Sequence, residues 1–135
     1  MYNSKNRLNL INSMNILITG GCGFIGLNLV KFFINKGYPN IRILDNLSVG
    51  TKESLESILS ELGTFTKKYS GNLINYSSDS SFSYKVELLI GDIRDQETCL
   101  KATKNIDAVI HLSAQAGVIP SVENPFFDFK VNALG

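Results

Sequence analysis

The sequence predicts an α/β chain built on a parallel sheet, about half of a doubly wound fold, with four strands in the order 3-2-1-4. Three observations predict it. Short apolar runs alternate with segments of helical period between Met14 and Gly135, a glycine-rich turn joins the first run to the first helix, and a carboxylate, Asp45, closes the second run.

Ile16-Leu17-Ile18 is wholly apolar and β-branched at its ends, as a strand buried on both faces requires. It runs directly into Gly20-Gly21-Cys22-Gly23-Phe24-Ile25-Gly26, a tight turn, after which the period becomes helical. Ile25, Leu29, Phe32 and Phe33 fall at i, i+4, i+7 and i+8, predicting one apolar face, and Gly37 is the expected stop. Ile41–Asp45 is the second strand despite Arg42, which completes a βαβ unit. Thr51 is placed to cap a second helix whose Leu55, Ile58, Leu59 and Leu62 line one side before Gly63. Residues 64–85 hold six serines with Gly71, Asn72 and Asn75 and show no lasting period, so they read as a long, mobile surface insertion. Val86–Ile90 restores a buried strand, Asp95 is placed to cap a helix through about Lys104, and Ile106–Leu112 is the fourth strand. That strand is expected to form an apolar, unpaired edge. Pro125 starts a final helix carrying Phe126, Phe129 and Val131. Residues 1–13 read as a disordered or mis-called extension preceding a 14–135 domain.

Composition narrows the function. The chain has 135 residues, 44% of them apolar, enough for one domain with a real core. Thirteen Lys+Arg against twelve Asp+Glu leave a net charge of +1, so neither nucleic acid nor an anionic membrane is an expected partner. Cys22 and Cys99 lie far apart, and His111 is the only histidine, so no zinc-ligand spacing or disulfide framework can be written. A reducing cytoplasm is the expected compartment.

The glycine turn satisfies G-x-G-x-x-G through Gly21, Gly23 and Gly26, and G-x-x-G-x-x-G through Gly20, Gly23 and Gly26. Its place between a strand and a helix gives a weak motif its weight: glycines let the backbone approach a pyrophosphate, and the helix N-terminus supplies N–H donors. No Lys-Ser/Thr follows the last glycine, which excludes a P-loop. Asp45 stands 19 residues after Gly26, near the spacing at which a carboxylate accepts from the adenosine ribose; it would repel a 2′-phosphate, and Asn46 follows it rather than an arginine, so NAD is the expected cofactor. A Rossmann-type sheet follows from the same residues. The bland readings are a strand-end Asp45 closing a turn, Asp92 as a turn and cap residue, Cys22 as a small filler, His111 as an oriented strand-end histidine, and Phe126, Phe127 and Phe129 as core.

Thr19-Gly20-Gly21-Cys22-Gly23-Phe24-Ile25-Gly26, Asp45-Asn46-Leu47-Ser48-Val49-Gly50, Gly91-Asp92-Ile93-Arg94-Asp95 and His111-Leu112-Ser113-Ala114-Gln115-Ala116-Gly117-Val118, in that order, resemble the extended short-chain dehydrogenases, specifically the NAD-dependent nucleotide-sugar epimerases and dehydratases. The resemblance implies that Phe24 and Ile25 present N–H groups to the pyrophosphate and that Asp45 holds the ribose. It implies that Asp92 and Ile93 flank the adenine, with Asp92 accepting from its amino group. Leu112, Ser113 and Ala114 would line the middle and nicotinamide side, and Asn132 would fix the loop after strand 4. It further implies a nucleotide-sugar substrate and a homodimer in the full-length form.

In that family a Tyr-x-x-x-Lys tyrosine removes a proton from the sugar 4-hydroxyl as hydride passes to NAD, giving a 4-keto sugar that is epimerised or dehydrated. None of Tyr2, Tyr38, Tyr69, Tyr76 and Tyr84 has Lys four positions on, so no catalytic residue is assigned and the chain is expected to stop before the chemistry. Ile119-Pro120-Ser121 stands where related uronate-sugar epimerases commonly show a basic residue and an aromatic, leaving the sugar open. The competing expectations are a non-catalytic NAD-binding module that pairs through strand 4, and a non-functional gene fragment.

Overall fold

A computed structural model of the chain describes residues 13–78 and 83–135. The proposed extension, apart from Ser13, and the tip of the serine-rich segment lie outside the described residues. Six strands form one sheet: β1 (Asn15–Thr19), β2 (Asn40–Asp45), β3 (Phe65–Ser70), β4 (Leu73–Ser78), β5 (Lys85–Ile90) and β6 (Ala108–His111), in the order β3-β4-β5-β2-β1-β6. The helices are α1 (Phe24–Asn35), α2 (Lys52–Glu61), α3 (Gln96–Thr103), α4 (Val118–Glu123) and α5 (Pro125–Phe129), which continues into a π-helical turn at Lys130–Leu134. None of them is long and apolar enough to cross a membrane, among the described residues.

The parallel strands β5-β2-β1-β6 reproduce the expected order 3-2-1-4, in register from Ile16↔Ile41 and Ile43↔Leu88 to Ile16↔Ala108. Period-2 alternation divides the core between two faces. Ile16, Ile18, Ile41, Ile43, Val86 and Leu88 pack with Val30, Ile34, Leu55 and Leu59 of α1 and α2, whereas Leu17, Leu44 and Leu89 pack with Ala102 of α3. Arg42 sits in β2 opposite Glu87 and donates from Nε to its carboxylate at 2.8 Å; its Nη1 reaches the carbonyls of Ala102 and Lys104, both at 2.9 Å. The arginine inside the strand therefore closes the C-terminal end of α3, whose last carbonyls have no partner within the helix.

Two expectations are corrected here. Residues 64–85 contain a β-hairpin, β3–β4, that adds antiparallel to the outer edge of β5. Gly71, at φ +60°, makes the two-residue turn. Ile74 and Tyr76 alternate onto the core face of β4 and are buried; Tyr76 packs edge-on against Phe65 and donates to Glu56 at 3.2 Å. Only two residues, Ile74 and Tyr76, mark this two-residue period, with Leu73 beside them packing on the other face. In α1 the buried stripe is Gly26, Val30 and Ile34, while Ile25 and Phe32 face solvent at 62% and 51% exposure. The helix is apolar almost all round, so periodicity cannot choose its face; the close approach that only Gly26 permits does.

The fourth strand is shorter than expected but lies at an edge, pairing only with β1 among the described residues. α4 has no counterpart in the expected elements. Phe126 and Phe129 are not core: they are 66% and 50% exposed. The helix that carries them has no buried residue.

Candidate functional site

The carboxyl ends of the four parallel strands open onto one cavity of about 340 Å³. Gly20 follows β1, Asp45 ends β2, Gly91 follows β5 and Leu112 follows β6, and all four line it. This is the crevice at which a doubly wound sheet reverses direction and binds its ligands.

The glycine turn is shaped by contact. Gly20 has φ +66°, and a Cβ there would stand 2.9 Å from the Ser113 nitrogen. At Gly26 a Cβ would come within 2.5 Å of the Gly21 Cα, so the start of α1 can lie on the turn only because residue 26 is a glycine. No side chain caps α1. Its first-turn N–H groups, including those of Phe24 and Ile25, are the donors that a helix leaves without intrahelical partners. The Phe24 and Ile25 side chains face solvent, so the backbone is what these residues can offer a ligand.

Asp45 is buried at the cavity wall. One carboxylate oxygen accepts from the Cys22 N–H at 2.9 Å and the other from the Leu47 N–H at 2.8 Å. The first bond ties the end of β2 to the glycine turn. A carboxylate accepts about four hydrogen bonds, so about two acceptor positions remain for a ligand diol. Burial pushes the Cys22 thiol up to about 12, with the Asp45 charge adding to it, which makes this cysteine an inert filler.

Asp92 is differently engaged. Its Oδ1 accepts from the Arg94 backbone N–H at 2.9 Å and Arg94 Nε at 2.8 Å; its Oδ2 accepts from Arg94 Nη2 at 2.7 Å and Asn46 Nδ2 at 3.1 Å. The side-chain bond from Arg94 holds the Asp92 carboxyl well below the usual carboxylate range, against the opposing effect of partial burial. These bonds fix the Asp92 carboxylate in the cavity wall.

Across the cavity, the loop after β6 is held from the C-terminal helical segment. Asn132 accepts from the Gln115 N–H at 2.8 Å and donates to the Gln115 carbonyl at 3.0 Å, a two-point clamp. Asn132 itself does not line the cavity. Gly20, Gly23, Asp45, Asn46, Asp92, Ile93, Leu112, Ser113 and Ala114 do, whereas Phe24, Ile25 and Gly26 do not line it. Sequence reasoning does not assign Phe127 and Val131 to the wall. Their helical spacing of four is a visible signal, but from sequence alone it reads as one side of a packed helix.

A second hollow, of about 290 Å³, lies at the amino ends of the strands among Asn15, Asn40, Arg42 and Glu87. Its charged groups are spent on one another, Glu87 taking both Arg42 and Lys85, and it lies away from the crevice.

A parallel doubly wound sheet, a glycine turn opening into an uncapped helix and a cavity at the switch point together define the dinucleotide-binding class of α/β proteins. The chain belongs to the NAD dependent epimerase/dehydratase family, whose model matches residues 16–135. A putative UDP-glucose 4-epimerase of Methanocaldococcus jannaschii is 36% identical over 121 residues, covering 89% of this chain and 30% of that protein. The crystal structure of a Thermus thermophilus UDP-glucose 4-epimerase complexed with NAD is 32% identical, with a TM-score of 0.62 over 90% of this chain and 30% of its own. A UDP-glucose-4-epimerase structure from Stenotrophomonas maltophila, with bound NAD and formylated UDP-arabinopyranose, is 26% identical, with a TM-score of 0.66 over 88% of this chain and 30% of its own. The chain thus spans about 30% of the length of these relatives.

Proposed function

We propose that the chain is the NAD-binding portion of a nucleotide-sugar epimerase or dehydratase that acts through a 4-keto sugar intermediate. The observation that carries this reading is the joining of an uncapped helix start, a glycine turn too tight for a Cβ and a buried carboxylate with spare acceptor capacity around one cavity.

In this reading Gly20, Gly23 and Gly26 let the pyrophosphate approach, and the N–H groups of Phe24 and Ile25 bind it. Asp45, beside Asn46, accepts from the ribose hydroxyls and disfavours a 2′-phosphate. Asp92 and Ile93 flank the base; Leu112, Ser113 and Ala114 line the nicotinamide side, and Asn132 fixes their loop through Gln115. NAD, when bound, supplies the hydride acceptor and donor for oxidation and reduction of the sugar. The acid–base pair and the sugar site are assigned to parts of a longer protein outside these 135 residues, which hold no Tyr-x-x-x-Lys. A cytoplasmic homodimer is the proposed full-length form.

Calorimetric titration of the chain with NAD and NADP tests the reading. NAD is expected to bind at least about tenfold more tightly, and Asp45→Ala to weaken NAD about tenfold or more, the effect of one or two bonds to a charged acceptor. Equal affinity for both dinucleotides would remove Asp45 from its role, and no binding of either would sink the proposal. A second reading, a non-catalytic NAD-binding module, is favoured by the one-sided pairing of β6 among the described residues. A partner complex of fixed stoichiometry that Val109→Lys abolishes would support it.

A further inference from the structure

Building on the NAD reading, we propose that Asp128 is a positioning residue for the nicotinamide side of the cavity: one of its carboxylate oxygens holds both Ser121 and Asn132 and so fixes the loop after β6. Residues 112–117 of that loop carry no helix or strand, yet Ser113, Ala114, Gln115 and Ala116 line the cavity. The elements beside the loop do not fix it by apolar burial, since α4, α5 and the π-helical turn contain no buried residue. Hydrogen bonds therefore set where it stands.

Asp128 Oδ1 takes the Ser121 hydroxyl at 2.8 Å and Asn132 Nδ2 at 3.0 Å. The second Asn132 N–H goes to the Gln115 carbonyl at 3.0 Å, while Asn132 Oδ1 accepts from the Gln115 N–H at 2.8 Å. A side-chain amide has two donors on one end and an acceptor on the other, so its orientation decides what it can bind. A carboxylate facing that amide requires nitrogen on its side. Asp128 thereby selects the orientation in which Asn132 meets both backbone groups of Gln115; the flipped amide would set oxygen against the carboxylate and against the Gln115 carbonyl. At the end of the loop, the Ser121 hydroxyl proton is shared between Asp128 and the Gly117 carbonyl, 2.7 Å from Oγ, and the Ser121 N–H reaches the same carbonyl at 3.3 Å. One carboxylate oxygen thus joins α4 and the C-terminal helical segment to the loop at Gln115 and at Gly117.

The test compares NAD with ADP-ribose, which is NAD without its nicotinamide, by calorimetry on the wild-type chain, Asp128→Ala and Asp128→Asn. Asp128→Ala is expected to weaken NAD about threefold to tenfold, the range of one or two ordinary hydrogen bonds, while ADP-ribose changes by less than about twofold. Asp128→Asn keeps a side-chain oxygen that accepts both donors and is expected to hold both ligands within about twofold of the wild type. Ser121→Ala, a smaller change at the same junction, is expected to weaken NAD about twofold to threefold and to spare ADP-ribose. In the free chain the Gln115 amide is expected to exchange faster in Asp128→Ala and not in Asp128→Asn. Equal loss of both ligands in Asp128→Ala, no loss of NAD, or an Asp128→Asn as weak as Asp128→Ala would overturn the role of Asp128 while leaving NAD binding intact. Failure of the wild type to bind NAD would instead overturn the NAD reading and this inference with it.

Discussion

Thr19 is 5% exposed, and its hydroxyl joins the glycine turn to the loop on the far side of the cavity. Its Oγ1 accepts from the N–H groups of Leu112 at 3.1 Å and Ser113 at 3.3 Å, which leaves its own proton for His111 Nδ1 at 2.7 Å. The bond fixes the orientation of the His111 ring at the end of β6. Thr19→Val is expected to cost about 1–3 kcal/mol in urea unfolding, since buried donors lose their acceptor, and Thr19→Ser less than about 1 kcal/mol. Asp92 provides a pH-dependent prediction. Its folded pKa lies below the unfolded value, so its pairing with Arg94 contributes stability above about pH 4 and loses it as pH falls through the lower folded value. Asp92→Asn should flatten the acid limb of a melting-temperature profile.

At the scale of elements, the hairpin and α3 each depend on one side chain that crosses between layers. Tyr76 is fully buried between β4 and α2, so Tyr76→Ala is expected to destabilise by about 3–5 kcal/mol in thermal unfolding; Tyr76→Phe, which removes only the bond to Glu56, should cost about 1 kcal/mol. Burial pushes the Tyr76 phenol up, with the Glu56 charge adding to it, so it remains a donor throughout the stable range. Arg42→Met removes the bonds to Ala102, Lys104 and Glu87 and should cost about 1–3 kcal/mol, with the loss concentrated as faster amide exchange at the end of α3. These elements also show where the sequence is legible. Thr51 and Asp95 are readable as caps because capping is local: Thr51 accepts from Ser54 N–H and Asp95 from Glu97 and Thr98 N–H. The hairpin is not, because an alternation of only Ile74 and Tyr76 acquires meaning when β5 supplies an edge to pair with.

Over the whole molecule, stability should be graded from the centre of the sheet outward. β1, β2 and β5 are buried on both faces, whereas Val109 of β6 is 53% exposed and α5 has no buried residue. Hydrogen exchange read by mass spectrometry is expected to show the slowest amides in β1, β2 and β5 and the fastest in α4, α5 and β6; uniform protection would contradict this gradient. The cavity spans both regimes, with Asp45 and the glycine turn on the slow side and Ser113, Ala114 and Phe127 on the fast side. The sequence by itself determined the parallel strands, their order, the glycine turn, the caps and Asp45, because each rests on period, local steric permission or spacing along the chain. Only the tertiary structure decided which face of α1 is buried, why Arg42 belongs in a strand, that residues 65–78 extend the sheet, and that Arg94 and Asn46 both bond Asp92. Those outcomes depend on which groups meet across the sheet and how many lone pairs remain when they do, quantities set by packing in three dimensions and carried by no single stretch of sequence.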